Sequence, residues 1–286
     1  MNAFARSAHR PLFPMEAHWR SWTRQGAVAV LVGAALLVGC TSTRTTSSTN
    51  STDLADADRK VQPNRERATI RLTLATSYFQ EGQYDVALEE TSRVLDIDDT
   101  FSDAYSLRGL IYQRQGEFPK AQASFRRALQ LKPSDADARH NLALMYCQNN
   151  QLAQAVDEFN QAVAAARQRD RGKTLLAMGI CQVRLGDRNG GEASLARALQ
   201  ADPGNPLAAY NLALLQYQRG AYPEAMASVR VLNNGDRANA ESMWLGIRIA
   251  RKAGDGRTMR DLIEQMRRRF ASSPQYQLLE QGAFDE

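Results

Sequence analysis

The segment Ala104-Tyr-Ser-Leu-Arg-Gly-Leu-Ile-Tyr-Gln-Arg-Gln-Gly-Glu-Phe-Pro-Lys-Ala-Gln-Ala-Ser-Phe-Arg-Arg-Ala-Leu-Gln-Leu-Lys-Pro133 reads as two helical runs that meet at Gly116. Small residues stand seven before that turn and five after it, at Gly109 and Ala121, so the two helices can approach closely. Pro119 falls in the first turn of the second run, where its missing N–H costs nothing. Tyr105, Tyr112, Phe125, Ala128 and Pro133 complete the unit. The same arrangement recurs on either side. Turn residues appear as Gly82, Gly116, Asn150, Gly186, Gly220 and Gly254, at spacings of 34, 34, 36, 34 and 34. Gly and Asn tolerate the left-handed backbone needed just past a helix C-terminus. Small or apolar residues precede each turn as Ala75, Gly109, Ala143, Gly179, Ala213 and, more loosely, Ile247. They follow it as Ala87, Ala121, Ala155, Gly191, Ala225 and Met259.

A 34-residue helix–turn–helix unit of this kind is the tetratricopeptide pattern. Six units start near Ala68, Ser102, Ala136, Gly172, Pro206 and Ala240 and run through residue 273. The expected fold is therefore all-α, a right-handed superhelical solenoid of six tetratricopeptide hairpins over residues 67–273. The two extra residues of the third unit fall around Ala166 to Arg171. Residues 274–286 are expected to form a tail that caps the open end, as solenoids require.

The first forty residues are of another kind. Arg20 and Arg24 precede an uncharged apolar run from Gly26 to Gly39, the layout of a secretory signal. Fourteen residues are too few for a membrane span, which needs about 20. The run leads directly into Leu37-Val38-Gly39-Cys40, which resembles the bacterial lipobox. That resemblance implies cleavage between Gly39 and Cys40 and acylation of Cys40, so residues 1–39 are a lipoprotein signal peptide. Met15 would serve as a start as well as Met1. Several acyl chains exceed the two signals that stable attachment requires. The residue after Cys40 is Thr41 where Asp would mark inner-membrane retention, which implies an outer-membrane lipoprotein facing the periplasm. Residues 40–66 are expected to be the lipidated Cys and a flexible tether rich in Ser and Thr.

Composition narrows the function. The chain has 286 residues, 43% of them hydrophobic and 23% charged, enough apolar side chain to build a core. Its net charge of +5 suggests nucleic acid at first. Without Arg6, Arg10, Arg20, Arg24 and Glu16 of the signal, 32 basic residues face 30 acidic ones, and no Lys/Arg block remains as a footprint on DNA or RNA. One histidine, His140, and two cysteines follow Cys40, too few for the usual zinc sites. Neither G-x-S-x-G, H-E-x-x-H nor a Gly-rich phosphate loop occurs, so the chain reads as no enzyme, with no cofactor beyond lipid on Cys40 and no small-molecule substrate. Acidic pairs such as Glu89-Glu90 and Asp135/Asp137 read as solvated faces and helix-start charges.

Cys147 and Cys181 lie on the first helices of neighbouring units, 34 residues apart. An oxidising compartment favours a disulfide between them, whereas two buried free thiols would pack equally well as small hydrophobes. They hold different positions in the repeat, so spacing leaves both outcomes open. A partner surface is expected along one stripe of the first helices: Leu72, Phe79, Leu110, Leu144, Leu176, Tyr210, Leu214, Tyr217 and Trp244. The same positions hold Arg248 and Arg251 in the last unit. An apolar stripe edged by charge suits protein recognition, where aromatics and Arg carry most of the energy.

Lipobox, hydroxyl-rich tether and six repeats together resemble the PilW/PilF family of type IV pilus biogenesis lipoproteins, the pilotins of the pilus secretin. The likeness is carried by Ala104 to Gln113, by Asn141-Leu-Ala-Leu-Met-Tyr-Cys147, by Met178-Gly-Ile-Cys181 and by Trp244-Leu-Gly-Ile-Arg-Ile-Ala-Arg-Lys-Ala-Gly-Asp255. The third unit departs from it at Leu142-Ala143-Leu144, and Ala164 to Gly172 lacks a Pro-rich turn. The resemblance implies a non-catalytic assembly factor that binds the secretin and associated pilus assembly proteins and promotes multimerisation of the secretin at the outer membrane. The other reading is a scaffold lipoprotein of a different secretion or tight-adherence system, or one that recruits peptidoglycan enzymes.

Overall fold

The computed structural model describes residues 52–167 and 170–284. The signal segment, the Gly39–Cys40 junction and the hydroxyl-rich stretch after it lie outside the described residues. Thirteen α-helices occur among the described residues: α1 (Thr52–Gln80), α2 (Tyr84–Ile97), α3 (Ser102–Arg114), α4 (Phe118–Leu131), α5 (Ala136–Gln148), α6 (Leu152–Ala165), α7 (Arg171–Leu185), α8 (Arg188–Ala201), α9 (Pro206–Gln218), α10 (Tyr222–Asn233), α11 (Ala240–Ala253), α12 (Gly256–Phe270) and α13 (Pro274–Glu280). Helices pair in order into six hairpins, and each second helix also packs on the first helix of the next hairpin. Successive first helices touch as well, from α1 with α3 through α9 with α11, and α13 packs on α11 and α12. Contacts between neighbours alone are the organisation of a solenoid.

Within each hairpin the turn is set by one residue. Gly82, Gly116, Asn150, Gly186, Gly220 and Gly254 all have positive φ, from 59° at Asn150 to 93° at Gly186. That reversal lets the next N–H reach back to the helix, as Glu117 does to Tyr112 O and Asp187 to Gln182 O, each at 2.9 Å. An ordinary L residue would pay about 1–2 kcal/mol to adopt it. Three first helices, α5, α9 and α11, are capped at their entries by side chains. Asp135 accepts from the N–H groups of Asp137 and Ala138, Asn205 from that of Ala208, and Asn239 with Ser242 forms a capping box.

Hairpin cores are built by size complementarity. Where the first helix has a small residue, the second inserts a larger one sixteen positions later: Gly109 with Phe125, Ala143 with Phe159, Gly179 with Leu195, Ala213 with Val229. All eight are buried. A Cβ on Gly109 would lie 2.7 Å from the Phe125 ring, so a larger residue there would force that ring to shift. The sixth hairpin slips by one residue. Its close approach is made at Gly246, whose Cβ would lie 3.0 Å from Leu262, and not at the expected Ile247. Ile247 itself is fully buried in the cluster that also holds Leu262 and Met266. At the open N-terminal end, exposed Thr73 and Ser77 stand 34 residues before buried Leu107 and Ile111, so this face is partly polar where the others are buried.

Two expectations change. The flexible tether expected through residue 66 gives way to helix earlier, as α1 begins at Thr52. Serine and threonine stop at that residue, and Asp53 to Arg67 holds mostly Ala, Asp, Arg, Lys and Glu, with helix formers outnumbering the single Pro63. Glu90, read as solvated, is only 6% exposed. It accepts from Arg71 Nη1 at 2.9 Å and is also paired with Arg93. A buried carboxylate is tolerated only with such partners.

Candidate partner-binding surface

The stripe residues share one state of burial, with a single exception. Leu72, Phe79, Leu110, Leu144, Leu176, Tyr210, Leu214 and Tyr217 are each half-buried, seated at the edge of successive core clusters with one flank toward solvent. Arginines lie over two of the stripe's aromatics. The Arg114 guanidinium is 5.8 Å from the Phe79 ring centre and that of Arg248 is 5.1 Å from Tyr217. Burial raises the Tyr210 hydroxyl above its ordinary pKa, Glu241 adds to the rise and Arg248 opposes it. The row is thus amphipathic, with apolar side chains along it and guanidinium groups over two of its rings. Among the described residues no cluster of His, Cys, Asp and Glu could hold a metal ion, and no helix is long and apolar enough to cross a membrane.

The middle of the row is closed by a seam between α5 and α7. Cys147 and Cys181 form a disulfide with Cα atoms 6.1 Å apart. Two helical turns earlier, His140 Nδ1 and Thr174 Oγ1 lie 3.0 Å apart, across the same separation of 34 residues. Both pairs are 34 residues apart, whereas equivalent repeat positions on α5 and α7 are 36 apart. Ion pairing at the exposed end of the seam joins Lys173 Nζ to Asp137 Oδ1 at 2.5 Å.

Burial, followed by the nearby Lys173 charge and opposed by Asp137, lowers His140 from 6.5 to about 4. An unfolded chain takes up this proton below about pH 6.5, whereas the folded chain resists it until about pH 4. The histidine's contribution is fully present above the upper value and is lost as pH falls through the window. Between about pH 7 and pH 4.5 it should remove about 2 kcal/mol of stability. His140→Gln keeps hydrogen-bonding capacity without the titration, so urea unfolding at the two pH values should show a smaller difference in the variant. Equal differences would show that His140 does not carry it.

Trp244 departs from the rest of the row, being only 6% exposed. Phe284 stacks on it, with ring centres 5.4 Å apart and planes inclined by 21°. The Arg251 guanidinium lies over the Phe284 ring, 4.3 Å from its centre. Sequence reasoning missed Phe284. The available signal was Gly282 after a short helical run, the same turn residue that ends every first helix but one.

Two family models match: the tetratricopeptide repeat protein 21 C-terminal ARM domain over residues 28–171, and a tetratricopeptide repeat over residues 176–241. The chain belongs to the tetratricopeptide-repeat proteins. This repeat protein is also related to pilus factors at low identity. It is 23% identical over 206 residues to the type IV pilus assembly protein PilF of Pseudomonas aeruginosa, covering 72% of this chain and 82% of that one. The crystal structure of PilW, a widely conserved type IV pilus biogenesis factor, aligns with a TM-score of 0.60 and 28% identity over 74% of this chain and 97% of PilW. The structure of Pseudomonas aeruginosa PilF aligns with a TM-score of 0.65 and 21% identity, over 77% of this chain and 99% of that one. The matches to PilW and PilF thus take in nearly the whole of both solved chains.

Proposed function

We propose that this repeat protein is a type IV pilus biogenesis factor acting as a pilotin: a non-catalytic, lipid-anchored protein of the outer membrane that binds the secretin and promotes its localisation and multimerisation. The observation that carries the reading is the relationship to PilF and PilW along almost their entire solved length. The half-buried row of first-helix residues supplies a surface suited to a protein client, and a solenoid presents such a row on a rigid support. Acylation at Cys40 would hold the scaffold at the periplasmic face and raise the effective concentration of the row near its client without adding a contact. No other prosthetic group is needed for that role.

Cells lacking the chain should contain secretin monomers in place of multimers. Wild-type protein should restore multimers, while Cys40→Ala should be absent from the outer-membrane fraction and restore them poorly. Normal secretin multimers in the deletion strain would overturn the proposal.

A further inference from the structure

We propose that Trp244, Arg248 and Arg251 form a binding site for an aromatic side chain borne on an acidic peptide segment of a partner, and that Phe284 of this chain is the site's resident occupant. The inference deepens the partner-binding reading of the row and rests on it, but does not depend on which client is bound.

The placement of Phe284 follows from a shortened repeat. Helix α13 begins at Pro274, 34 residues after α11 begins at Ala240, so it takes the place of a seventh first helix. Turn residues elsewhere come fourteen residues after Ser102, Ala136, Pro206 and Ala240, but Gly282 comes eight after Pro274. Gly282 has φ 67°, and Ala283 N donates to Leu278 O at 2.9 Å, repeating the hairpin turn. The early turn sends the chain onto α11, where Phe284 stacks on Trp244 under the Arg251 guanidinium.

Three features make this a site and more than an end cap. Trp244, Arg248 and Arg251 occupy the stripe positions of the last unit, so a chain laid along the row from Phe79 to Tyr217 arrives next at Phe284. The site keeps an unmet donor, since Arg248 Nε is buried without a hydrogen-bond partner among the described residues. Its chemistry matches an aromatic accompanied by carboxylates, because a guanidinium offers both a stacking plane and a fork for an anion. The resident segment has that composition, Phe284 being followed by Asp285 and Glu286. A client of the same chemistry would therefore displace it and bear the population cost of the occupied state.

The probe is a labelled synthetic peptide of residues 279–286, Leu-Glu-Gln-Gly-Ala-Phe-Asp-Glu. It should bind the full chain carrying Phe284→Ala at least about tenfold more tightly than it binds the wild-type chain. Adding Arg251→Ala to that variant should abolish the gain, as should replacing the peptide's Phe by Ala. Trp244 is the one tryptophan after Cys40, so its fluorescence in protein purified from membranes reports the site directly. The emission should shift to the red in Phe284→Ala and return when peptide is added. Equal affinity for both chains, or no binding to Phe284→Ala, would overturn the proposal and leave Phe284 as an end cap. Neither result touches the secretin reading, because no secretin enters the measurement.

Discussion

Gly179→Leu is expected to cost about 3 kcal/mol or more and to break the array at its fourth hairpin. Helix propensity alone points the other way, since Gly is about 1 kcal/mol worse than most residues inside a helix. Packing wins because α7 and α8 touch almost backbone to backbone. A Cβ at Gly179 would lie 2.8 Å from Leu195 Cγ and 3.0 Å from Gly191 O. The opposing Gly191 is equally tight, with Val183 Cγ2 at 2.6 Å from its would-be Cβ and Gly179 O at 3.0 Å. A leucine must therefore push the helices apart, and a carbonyl in a helix cannot yield as a flexible side chain could. In a solenoid each hairpin is held by its neighbours, so loss of the fourth uncouples the units before it from those after it. Urea unfolding followed by circular dichroism should change from one transition to two. A variant within about 1 kcal/mol of wild type, unfolding in one step, would refute the close-packing argument.

Opening the Cys147–Cys181 disulfide is expected to cost about 3–4 kcal/mol, the chain-entropy value for a loop of this length. The bond spans 34 residues and ties α5 to α7, so it stabilises the contact between hairpins three and four more than either hairpin alone. Both sulfurs are buried, and Arg184 Nη1 lies 3.5 Å from Cys147 Sγ. The comparison is wild type with and without reductant against Cys147→Ala/Cys181→Ala, which keeps the seam apolar. Reduced wild type and the variant should both unfold at lower urea, and the variant should ignore reductant. If reductant leaves the wild-type midpoint unchanged, the bond contributes nothing to the folded array.

The repeat architecture was legible because its signals are local and repeated. A left-handed turn at Gly116 or Gly186 and a small residue seven positions earlier are properties of single helices and their ends. Even there, local reading failed where a neighbour took over a role. Ile247 sits at the expected register, but Gly246 makes the contact with Leu262. Glu90 looks like any surface glutamate until Arg71, nineteen residues away, is placed beside it. The start of α1 is a different case, because the hydroxyl-rich stretch ends at Thr52 and the residues after it favour helix.

The candidate site was legible as a pattern and less so as a set of residues. Positions on one helical stripe follow from the repeat frame, and eight of the nine named residues share the same half-buried state. Trp244 belongs to that stripe by position but is covered by Phe284, forty residues on. By itself the sequence determined the all-α class and the hairpin period, because backbone handedness and side-chain spacing act within a few residues. Only the tertiary structure decided whether Cys147 and Cys181 are bonded, which carboxylate is buried and which aromatic is covered. Those outcomes depend on how elements distant in the chain pack against one another, which no window of a few residues contains.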